Sequence, residues 1–505
     1  MIIFGFPCEE LIDEAVAVVL SMAWPGRVVQ DGAVAGVMAG VLAGFRGEVY
    51  GSLSRRADAL FEIGDAVLCG PGRVTDLARL SLVPEFRRGH GALFDGLNAG
   101  RVEIGRLRKA VAGLPLPAWP DGRIRLAADV SSWLRPDAET SPERGFCHVA
   151  GRGKNAGTRV PGWPYSFVAA LGPGASSWTV LLDAVRLGPD DDDGAVTARQ
   201  IREVVSRLAE AGHWAEGDPD IVVVLDAGYN PSRLAWLLAD LPVIVVVRVR
   251  SDRVFRRPPA PKAPRTGGPP ARHGPPLGCD QPGTWGDPAL TADAGRPGGD
   301  TVQVTAWHRM HQMLQRRSGG FEDWPEDRDL PVIDGTLIRL SAPGRAEPMW
   351  LWASVPVAGQ DLVRTIWQSY LRRFDLEHTF RFLKQQLGWT RPLLRDPAAA
   401  DRWTWLLLAC YAQLWLARAL AALTRLPWQR PQPAEKMTPA RVRAGFRSAR
   451  EITGTPASTA KPSRPGPGRP KGSKNKHRPP AYPVGKTAPK LQKGRKSPKT
   501  TSQTG

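Results

Sequence analysis

Cysteine is scarce in this sequence, and the cysteines that are present form no motif. Their number is odd and no two of them lie two or three residues apart: Cys8, Cys69, Cys147, Cys279 and Cys410. This scatter argues against a disulfide framework and against a zinc site built from thiolates. It is typical of a protein kept in a reducing compartment.

Long hydrophobic runs are also missing. The longest, at 403–417, extends for about fifteen residues, which is short for a bilayer span and typical of a buried helix. The N-terminal residues are acidic where a secretory signal would be basic, with Glu9, Glu10, Asp13 and Glu14. We therefore predict a cytoplasmic protein, associated with the nucleoid, that has no membrane partner.

Acidic residues are absent from the end of the chain. From residue 461 onward there are thirteen Lys or Arg and no Asp or Glu, whereas the whole chain has a formal net charge of +19. Most of the excess positive charge is therefore in the tail. A concentrated basic segment favours nucleic acid as the partner through the release of counterions, with an anionic membrane as the less favoured alternative.

The chain is long enough for two or three domains, since it has 505 residues and 42% of them are hydrophobic. Changes in composition divide it into six segments. We predict an unassigned extension at 1–46, a helical DNA-binding domain at 47–120, the first part of a core at 121–250, a β-rich and Pro/Gly-rich insertion at 251–358, a further helical part of the core at 359–450, and a disordered basic tail at 451–505. The arginine-rich helical faces in 47–120 also fit a plain helical bundle with solvated surfaces.

The third segment has the alternation of strands and helices that characterises an α/β core. Strands are predicted at 123–130, 166–171, 178–187, 221–225 and 242–249, with helices at 196–212 and 231–240. The apolar run at 221–225 is typical of a strand buried on both faces. We therefore predict a mixed sheet, and further strands in the insertion at 302–307, 330–340 and 349–355.

Two aspartates are predicted at the carboxyl ends of core strands, where α/β sheets place their ligands. Asp129 closes the strand 124–128 and Asp226 closes the strand 221–225. If these strands are neighbours, the two carboxylates face each other, and Glu377 from a later helix can complete the cluster. Three carboxylates form a hard-oxygen site suited to Mg²⁺ or Mn²⁺. A pair of such ions serves in-line phosphoryl transfer.

Each aspartate also has an ordinary structural interpretation. Asp129 fits a turn with Ser131 and Ser132, and Asp226 fits a turn residue before the following Ala-Gly-Tyr-Asn. Asp183 lies in the middle of a strand, so it is a weaker candidate than the other two acids.

The segment 370–384 is predicted to form one helix that carries four polar residues on one stripe. Tyr370, Arg373, Glu377 and Lys384 fall within an arc of about 60°, beside an apolar stripe. Asp375 and Thr379 lie on the other side. An acid held among three donors suits a metal and a phosphate. The spacing of four residues between Arg373 and Glu377 also fits ordinary ion pairs on a surface helix.

With these acids and this stripe, the chain resembles the bacterial insertion-sequence transposases that carry an Asp-Asp-Glu triad. It looks like the subgroup with a Tyr, Arg, Glu, Lys signature with gaps of two, three and six residues, which Tyr370, Arg373, Glu377 and Lys384 match. The resemblance extends over roughly residues 47–450. It implies a ribonuclease-H-like α/β fold with a mixed sheet, the β-rich insertion, an N-terminal helical domain and the disordered basic C-terminal tail.

The resemblance also implies roles for individual residues. Asp129, Asp226 and Glu377 would be the catalytic acids and would bind two Mg²⁺ or Mn²⁺ ions. Tyr370, Arg373 and Lys384 would contact phosphates of the DNA end. In such relatives a tryptophan of the insertion stacks on a flipped base, for which Trp285 is the nearest candidate, although a core role fits it better.

The basic tail contains a Pro-Gly-Arg-Pro-Lys run that resembles an AT-hook. Arg469 and Lys471 would then lie in a narrow A·T minor groove. A generic polybasic tail that binds any phosphate backbone is the alternative. Both interpretations predict DNA-binding residues that raise affinity more than they specify sequence.

These observations predict a DNA transposase that cleaves element ends and joins them to target DNA by Mg²⁺-dependent phosphoryl transfer. Its partner would be double-stranded DNA, and the resemblance implies a homodimer on that DNA. Two alternatives remain: an inactive or domesticated DNA-binding protein derived from a transposase, and a metal-dependent nuclease without strand transfer.

Overall fold

The computed structural model describes most of the chain between residues 31 and 484. The described ranges are 31–148, 158–174, 176–261, 271–295, 301–316, 321, 324–344, 347–423, 430, 432–461, 470–474 and 479–484.

The helices lie before, within and after a large β-sheet. They are α1 (Asp31–Gly51), α2 (Ala57–Cys69), α3 (Leu77–Leu80), α4 (His90–Ala99), α5 (Ile104–Ala112), α6 (Asp193–Glu210), α7 (Pro231–Leu237), α8 (Gln360–Arg372), α9 (Phe374–Gln385), α10 (Pro397–Leu416), α11 (Arg418–Leu423) and α12 (Pro439–Thr453). Short 3₁₀ turns occur at Pro282–Thr284 and Ala434–Lys436.

The strands of the core occur close to the predicted positions, and further strands lie in the N-terminal helical segment and in the insertion. They are β1 (Leu53–Arg55), β2 (Arg101–Val102), β3 (Arg125–Leu134), β4 (Gly145–His148), β5 (Arg159–Leu171), β6 (Thr179–Arg186), β7 (Ile221–Leu225), β8 (Val243–Val249), β9 (Val254–Arg256), β10 (Pro276–Gly278), β11 (Leu290–Gly295), β12 (Thr301–Met310), β13 (Gly335–Ser341) and β14 (Met349–Ala353).

Ten of these strands form one mixed sheet in the order β11-β12-β13-β14-β8-β7-β3-β5-β4, with β6 paired to β5. Strands β3, β7 and β8 are parallel to one another, and β5 and β6 run antiparallel beside them. All five residues of β7 are buried, as the apolar run predicted. The chain is therefore a mixed α/β protein with a large mixed sheet and helices, which is consistent with a ribonuclease-H-like fold.

The strands of the insertion continue the core sheet. Strand β14 pairs antiparallel with β8, with Trp350 opposite Val249 and Ala353 opposite Val246. Strands β13, β12 and β11 follow in antiparallel order. The predicted strands of the insertion are thus present, and they cover the edge of β8, which would otherwise be open for pairing.

The N-terminal helices share one core with the C-terminal helices. Helix α1 crosses the boundary predicted between residues 46 and 47, and α10 packs against α1, α2 and α4. Arg46 of α1 is 1% exposed and donates to Asp65 of α2 and to Gln413 of α10. The predicted boundary therefore falls inside a helix. The contacts of the buried Arg46 attach this helix to the rest of the helical layer.

Parts of the tail predicted to be disordered make defined contacts. Helix α12 continues to Thr453, and Ala457 is 6% exposed. The carbonyl of Ala457 accepts a hydrogen bond from Arg87 at 3.0 Å. Further on, the N–H of Tyr482 donates to the carbonyl of Glu139, and Arg144 donates to the carbonyl of Tyr482. The disorder prediction fails for these residues because arginines of the folded part bind their main chain, which composition alone does not reveal.

Trp285 is packed within the insertion. Its indole N–H donates to the carbonyl of Gly278 at 2.8 Å, and its ring lies 5.5 Å from Trp350 and 6.3 Å from Trp307. These contacts fit a structural role for Trp285 better than stacking on a DNA base.

Across the described ranges, no helix combines the length and the apolar character that a membrane crossing requires.

Candidate active site

The two predicted aspartates follow neighbouring parallel strands. Ala128 of β3 is opposite Leu225 of β7 in the last pair of that ladder, and Asp129 and Asp226 are the next residues. The condition under which the two carboxylates were expected to face each other, that the two strands are neighbours, is therefore met. Asp129 does not close its strand, however, because β3 continues to Leu134 by pairing with β5 after β7 has ended.

Arg373 interrupts the helix that was predicted to be continuous from 370 to 384. Helix α8 ends at Arg372 and α9 begins at Phe374. The N–H of Arg373 donates to the carbonyl of Tyr370 at 3.1 Å, and the N–H of Leu376 donates to the carbonyl of Arg373 at 3.0 Å. Both bonds span three residues instead of four, so the chain tightens into a 3₁₀-like turn at this position.

The guanidinium of Arg373 lies among the three predicted acids. Its Nη1 is 2.6 Å from Asp129 Oδ2, and its Nη2 is 3.3 Å from Glu377 Oε1 and 3.8 Å from Asp226 Oδ1. The Arg373 side chain is only 11% exposed. The pair with Glu377 has the spacing of a surface ion pair, but the contacts to Asp129 and Asp226 come from distant parts of the chain. The stripe is thus part of a cluster around the mostly buried guanidinium of Arg373, in which Asp226 and Glu377 are each 42% exposed.

The surroundings of Asp129 change its pKa. Burial raises the pKa of Asp129 to about 6, and the neighbouring carboxylates of Asp226 and Glu377 add to this effect. The charge of Arg373 and the N–H of Val130 oppose it. Burial also disfavours the charged guanidinium, but Asp129 and the other acids outweigh it and raise the pKa of Arg373. The cluster therefore holds more negative charge than one arginine satisfies.

The raised pKa of Asp129 predicts a pH dependence of cation binding. An ordinary aspartate has a pKa of about 4, so at pH 5 most carboxyls of this type are ionised, whereas that of Asp129 is mostly protonated. Metal binding would then release a proton. We expect the affinity for Mn²⁺ to fall by about tenfold per pH unit below 6 and to level off above it. Calorimetric titration at pH 5 to 8 measures this, and equal affinities at pH 5 and 7 would contradict it.

Tyr370 and Lys384 flank the cluster at different distances. The hydroxyl of Tyr370 donates to Asp226 Oδ1 at 3.4 Å, and burial raises the pKa of this tyrosine. The ammonium of Lys384 lies 5.6 Å from the centre of the Trp389 ring, and burial lowers the pKa of Lys384. Tyr370 thus belongs to the acid cluster itself, while Lys384 is half-buried beside it.

The side of α9 that was predicted to lie opposite the apolar stripe is also buried. Thr379 is fully buried and its hydroxyl is 2.9 Å from that of Thr179. Asp375 is 6% exposed and pairs with Arg372. Helix α9 is therefore fixed on several sides, which holds Glu377 in place.

Sequence reasoning missed Arg248. Val247 of β8 is opposite Leu225 of β7, so Arg248 is the residue on the third parallel strand at the level of Asp226. Arg248 is exposed, and its charge acts on Tyr370. Aligning the ends of the three predicted parallel strands would have found it.

The weaker candidate Asp183 is a structural residue. It is fully buried and pairs with Arg108 at 3.1 Å and with Arg207 at 2.8 Å. Lys471 is exposed, and Arg469 lies outside the described residues.

The donor set of the cluster suits a divalent cation, since it consists of three carboxylates without thiolate or imidazole. Burial and the neighbouring acids raise the pKa of Asp129, so a further positive charge beside its carboxylate would be stabilising. The described residues contain no group of three His, Cys, Asp or Glu already spaced to hold a metal ion. The guanidinium of Arg373 lies between the acids.

These features define the class of protein: a mixed α/β fold with two acids directly after the last pair of a parallel ladder, consistent with a DDE-type nuclease fold. A family model described as "DDE superfamily endonuclease" matches residues 48–313, just over half of the chain, and the chain belongs to this family. Asp129 and Asp226 lie within the matched residues, and Glu377 lies beyond them. Membership of this family makes nuclease activity the expected activity.

Comparison with solved structures finds similarity to a piggyBac transposase in a synaptic complex with hairpin DNA. The TM-score is 0.39 with 8% sequence identity, over 88% of this chain and 79% of that chain. The search of curated proteins finds no match.

Proposed function

We propose that this protein is a DNA transposase of the insertion-sequence type, which cleaves the ends of its element and joins them to target DNA. The observation that carries the proposal is the convergence of Asp129, Asp226 and Glu377 on one guanidinium, at the point where the parallel ladder between β3 and β7 ends. The match of Tyr370, Arg373, Glu377 and Lys384 to the subgroup signature supports the same conclusion.

The three acids would hold two Mg²⁺ or Mn²⁺ ions, in keeping with the use of divalent metals by DDE nucleases. Such ions, when bound, activate the attacking oxygen and stabilise the leaving oxygen of an in-line phosphoryl transfer. Asp129 would offer its carboxylate from within β3 and Asp226 from the end of β7. Glu377 would offer its own from a helix fixed by buried neighbours. Arg373, Tyr370 and Lys384 would orient the DNA phosphate by donating hydrogen bonds to its oxygens.

Other parts of the chain would contribute DNA affinity. The helical unit at 47–120 is our candidate for recognition of the element end, and the segment 451–505, with Arg469 and Lys471, would bind the DNA backbone. The catalytic core would comprise 121–250 and 359–450, with the insertion 251–358 extending its sheet. We expect a homodimer that pairs two DNA ends.

The experiment that tests the function is a joining assay. Purified protein is incubated with Mn²⁺, a supercoiled target plasmid and a duplex that carries the terminal repeat flanking the gene. We expect cleaved ends joined to the plasmid. Cleavage without joined products would favour a nuclease without strand transfer, and binding without cleavage would favour an inactive, domesticated protein.

Arg248 is predicted to contact a phosphate near the acids. Its position at the end of β8 and its exposure leave its guanidinium available to DNA. We expect Arg248→Gln to weaken binding of end DNA by about tenfold, since hydrogen bonds to charged groups contribute roughly 1.5–3 kcal/mol. Gel-shift titration measures this. Arg250→Gln, two residues further and paired with Asp252, is the control, and equal effects of both substitutions would contradict the assignment.

A further inference from the structure

Arg373 occupies the place in the acid cluster where a cation is needed. It contacts all three acids, and among the described residues no other Lys, Arg or His lies within 4.0 Å of these carboxylates. Its closest contact, 2.6 Å, is to Oδ2 of Asp129, an oxygen that a metal ion would need.

We propose that Arg373 is the internal counter-ion of the acid cluster and leaves it when a DNA phosphate arrives, so that metal binding and DNA binding are coupled. This inference rests on the proposed function. Without DNA, the guanidinium offsets part of the negative charge of the acids and competes with divalent cations. When DNA is bound, its phosphate pairs with the guanidinium, and the carboxylates become free to bind metal.

Electrostatics make the two cations mutually exclusive at the carboxylates. A divalent ion among Asp129, Asp226 and Glu377 would lie within a few ångströms of the guanidinium, and like charges at that distance repel. The side chains of Arg373 and Asp129 are 11% and 20% exposed, so solvent screens the repulsion less between them than at Asp226 and Glu377, which are 42% exposed. The guanidinium must move before metal binds with full affinity.

A DNA phosphate is a suitable new partner for the guanidinium. Its oxygens match the planar fork of donors in arginine, which can replace the contacts to Asp129 and Glu377 with a bidentate pair. The position of Arg373 in the 3₁₀-like turn between α8 and α9 places the side chain at a break in the helix. A lysine, as a point charge on a flexible stem, could not bridge three carboxylates in the same way.

Coupling of this kind is reciprocal. If DNA raises the affinity for metal by some factor, metal must raise the affinity for DNA by the same factor. Typical coupling factors are about 5–150. The coupling would confine metal loading to the DNA-bound protein.

The test measures Mn²⁺ binding by the full chain without DNA. Calorimetry or electron paramagnetic resonance compares the wild type with Arg373→Gln. We expect Arg373→Gln to bind Mn²⁺ about tenfold more tightly than the wild type, because the competing cation is removed. Arg381→Gln is the matched control, since Arg381 is an exposed arginine of α9, and the affinity of this variant for Mn²⁺ should not change.

A second arm uses the wild type alone, so that the result does not depend on the folding of a variant. Pre-cleaved end duplex is added without target plasmid, so that no end remains to be cleaved and no target is supplied for joining. The affinity for Mn²⁺ should rise about tenfold while Mn²⁺ tightens DNA binding equally. An unchanged Mn²⁺ affinity on addition of DNA, or weaker binding by Arg373→Gln, overturns the coupling. If Glu377→Gln still weakens Mn²⁺ binding in that case, the acid site stands. Absence of Mn²⁺ binding in every variant overturns both proposals.

Discussion

Glu377→Gln is expected to abolish cleavage of element-end DNA while leaving DNA binding intact. The substitution keeps the size of the side chain and removes one carboxylate from the acid cluster. Loss of a metal ligand removes several kcal/mol of transition-state stabilisation, which corresponds to a decrease in the cleavage rate of about a thousandfold or more. The Glu377 side chain is 42% exposed, and its one ion pair within the described ranges is with Arg373, so the fold should tolerate the change.

The measurement is single-turnover cleavage of labelled end duplex in Mg²⁺, with binding followed by gel shift. Glu451→Gln removes an exposed carboxylate at the end of α12 and should leave cleavage unchanged. Cleavage by Glu377→Gln at the rate of that control would contradict the assignment of Glu377 as a catalytic acid. The family match ends at residue 313, so this test bears on the part of the site that the match does not include.

Asp65→Asn is expected to destabilise the helical layer by about 3–5 kcal/mol, because it leaves a buried arginine without its counter-charge. Asp65 and Arg46 are each 1% exposed, and they form a two-pronged pair with distances of 2.9 and 3.1 Å. Arg450 adds a third contact to Asp65 at 3.3 Å. The cluster joins α1, α2 and α12, so its loss affects the contact between the two ends of the chain.

Urea denaturation followed by circular dichroism measures the change in the free energy of unfolding. Asp95→Asn is the matched control, since the pair of Asp95 with Arg56 is 2.6 Å long but about half exposed. Pairs exposed to this extent contribute about 0–1 kcal/mol. Equal destabilisation by the two substitutions would show that the buried pair contributes no more to the free energy of unfolding than the exposed pair does.

Several features of the fold were predictable because local pattern and burial coincide. Strand β7 has the predicted bounds, since five consecutive apolar residues between a proline and a glycine-containing turn leave little choice. Its neighbour β3 is parallel to it, which meets the condition under which Asp129 and Asp226 were expected to face each other.

Other features depend on contacts between distant residues. Neither glycine nor proline marks the break at Arg373, and the segment by itself has the pattern of one helix. The turn coincides with the bonds from Arg373 to acids that lie far away in sequence. The anchoring of the tail at Tyr482 likewise depends on Arg144, whose burial is a tertiary property.

The sequence by itself determined the elements, the identity of the acids and the concentration of positive charge in the tail, because these follow from apolar periodicity, residue chemistry and counting. Only the tertiary structure decided that Arg373 lies among the acids and that the insertion extends the core sheet. These outcomes depend on strand register and on which buried charges find a partner. Both are set by the packing of segments more than a hundred residues apart.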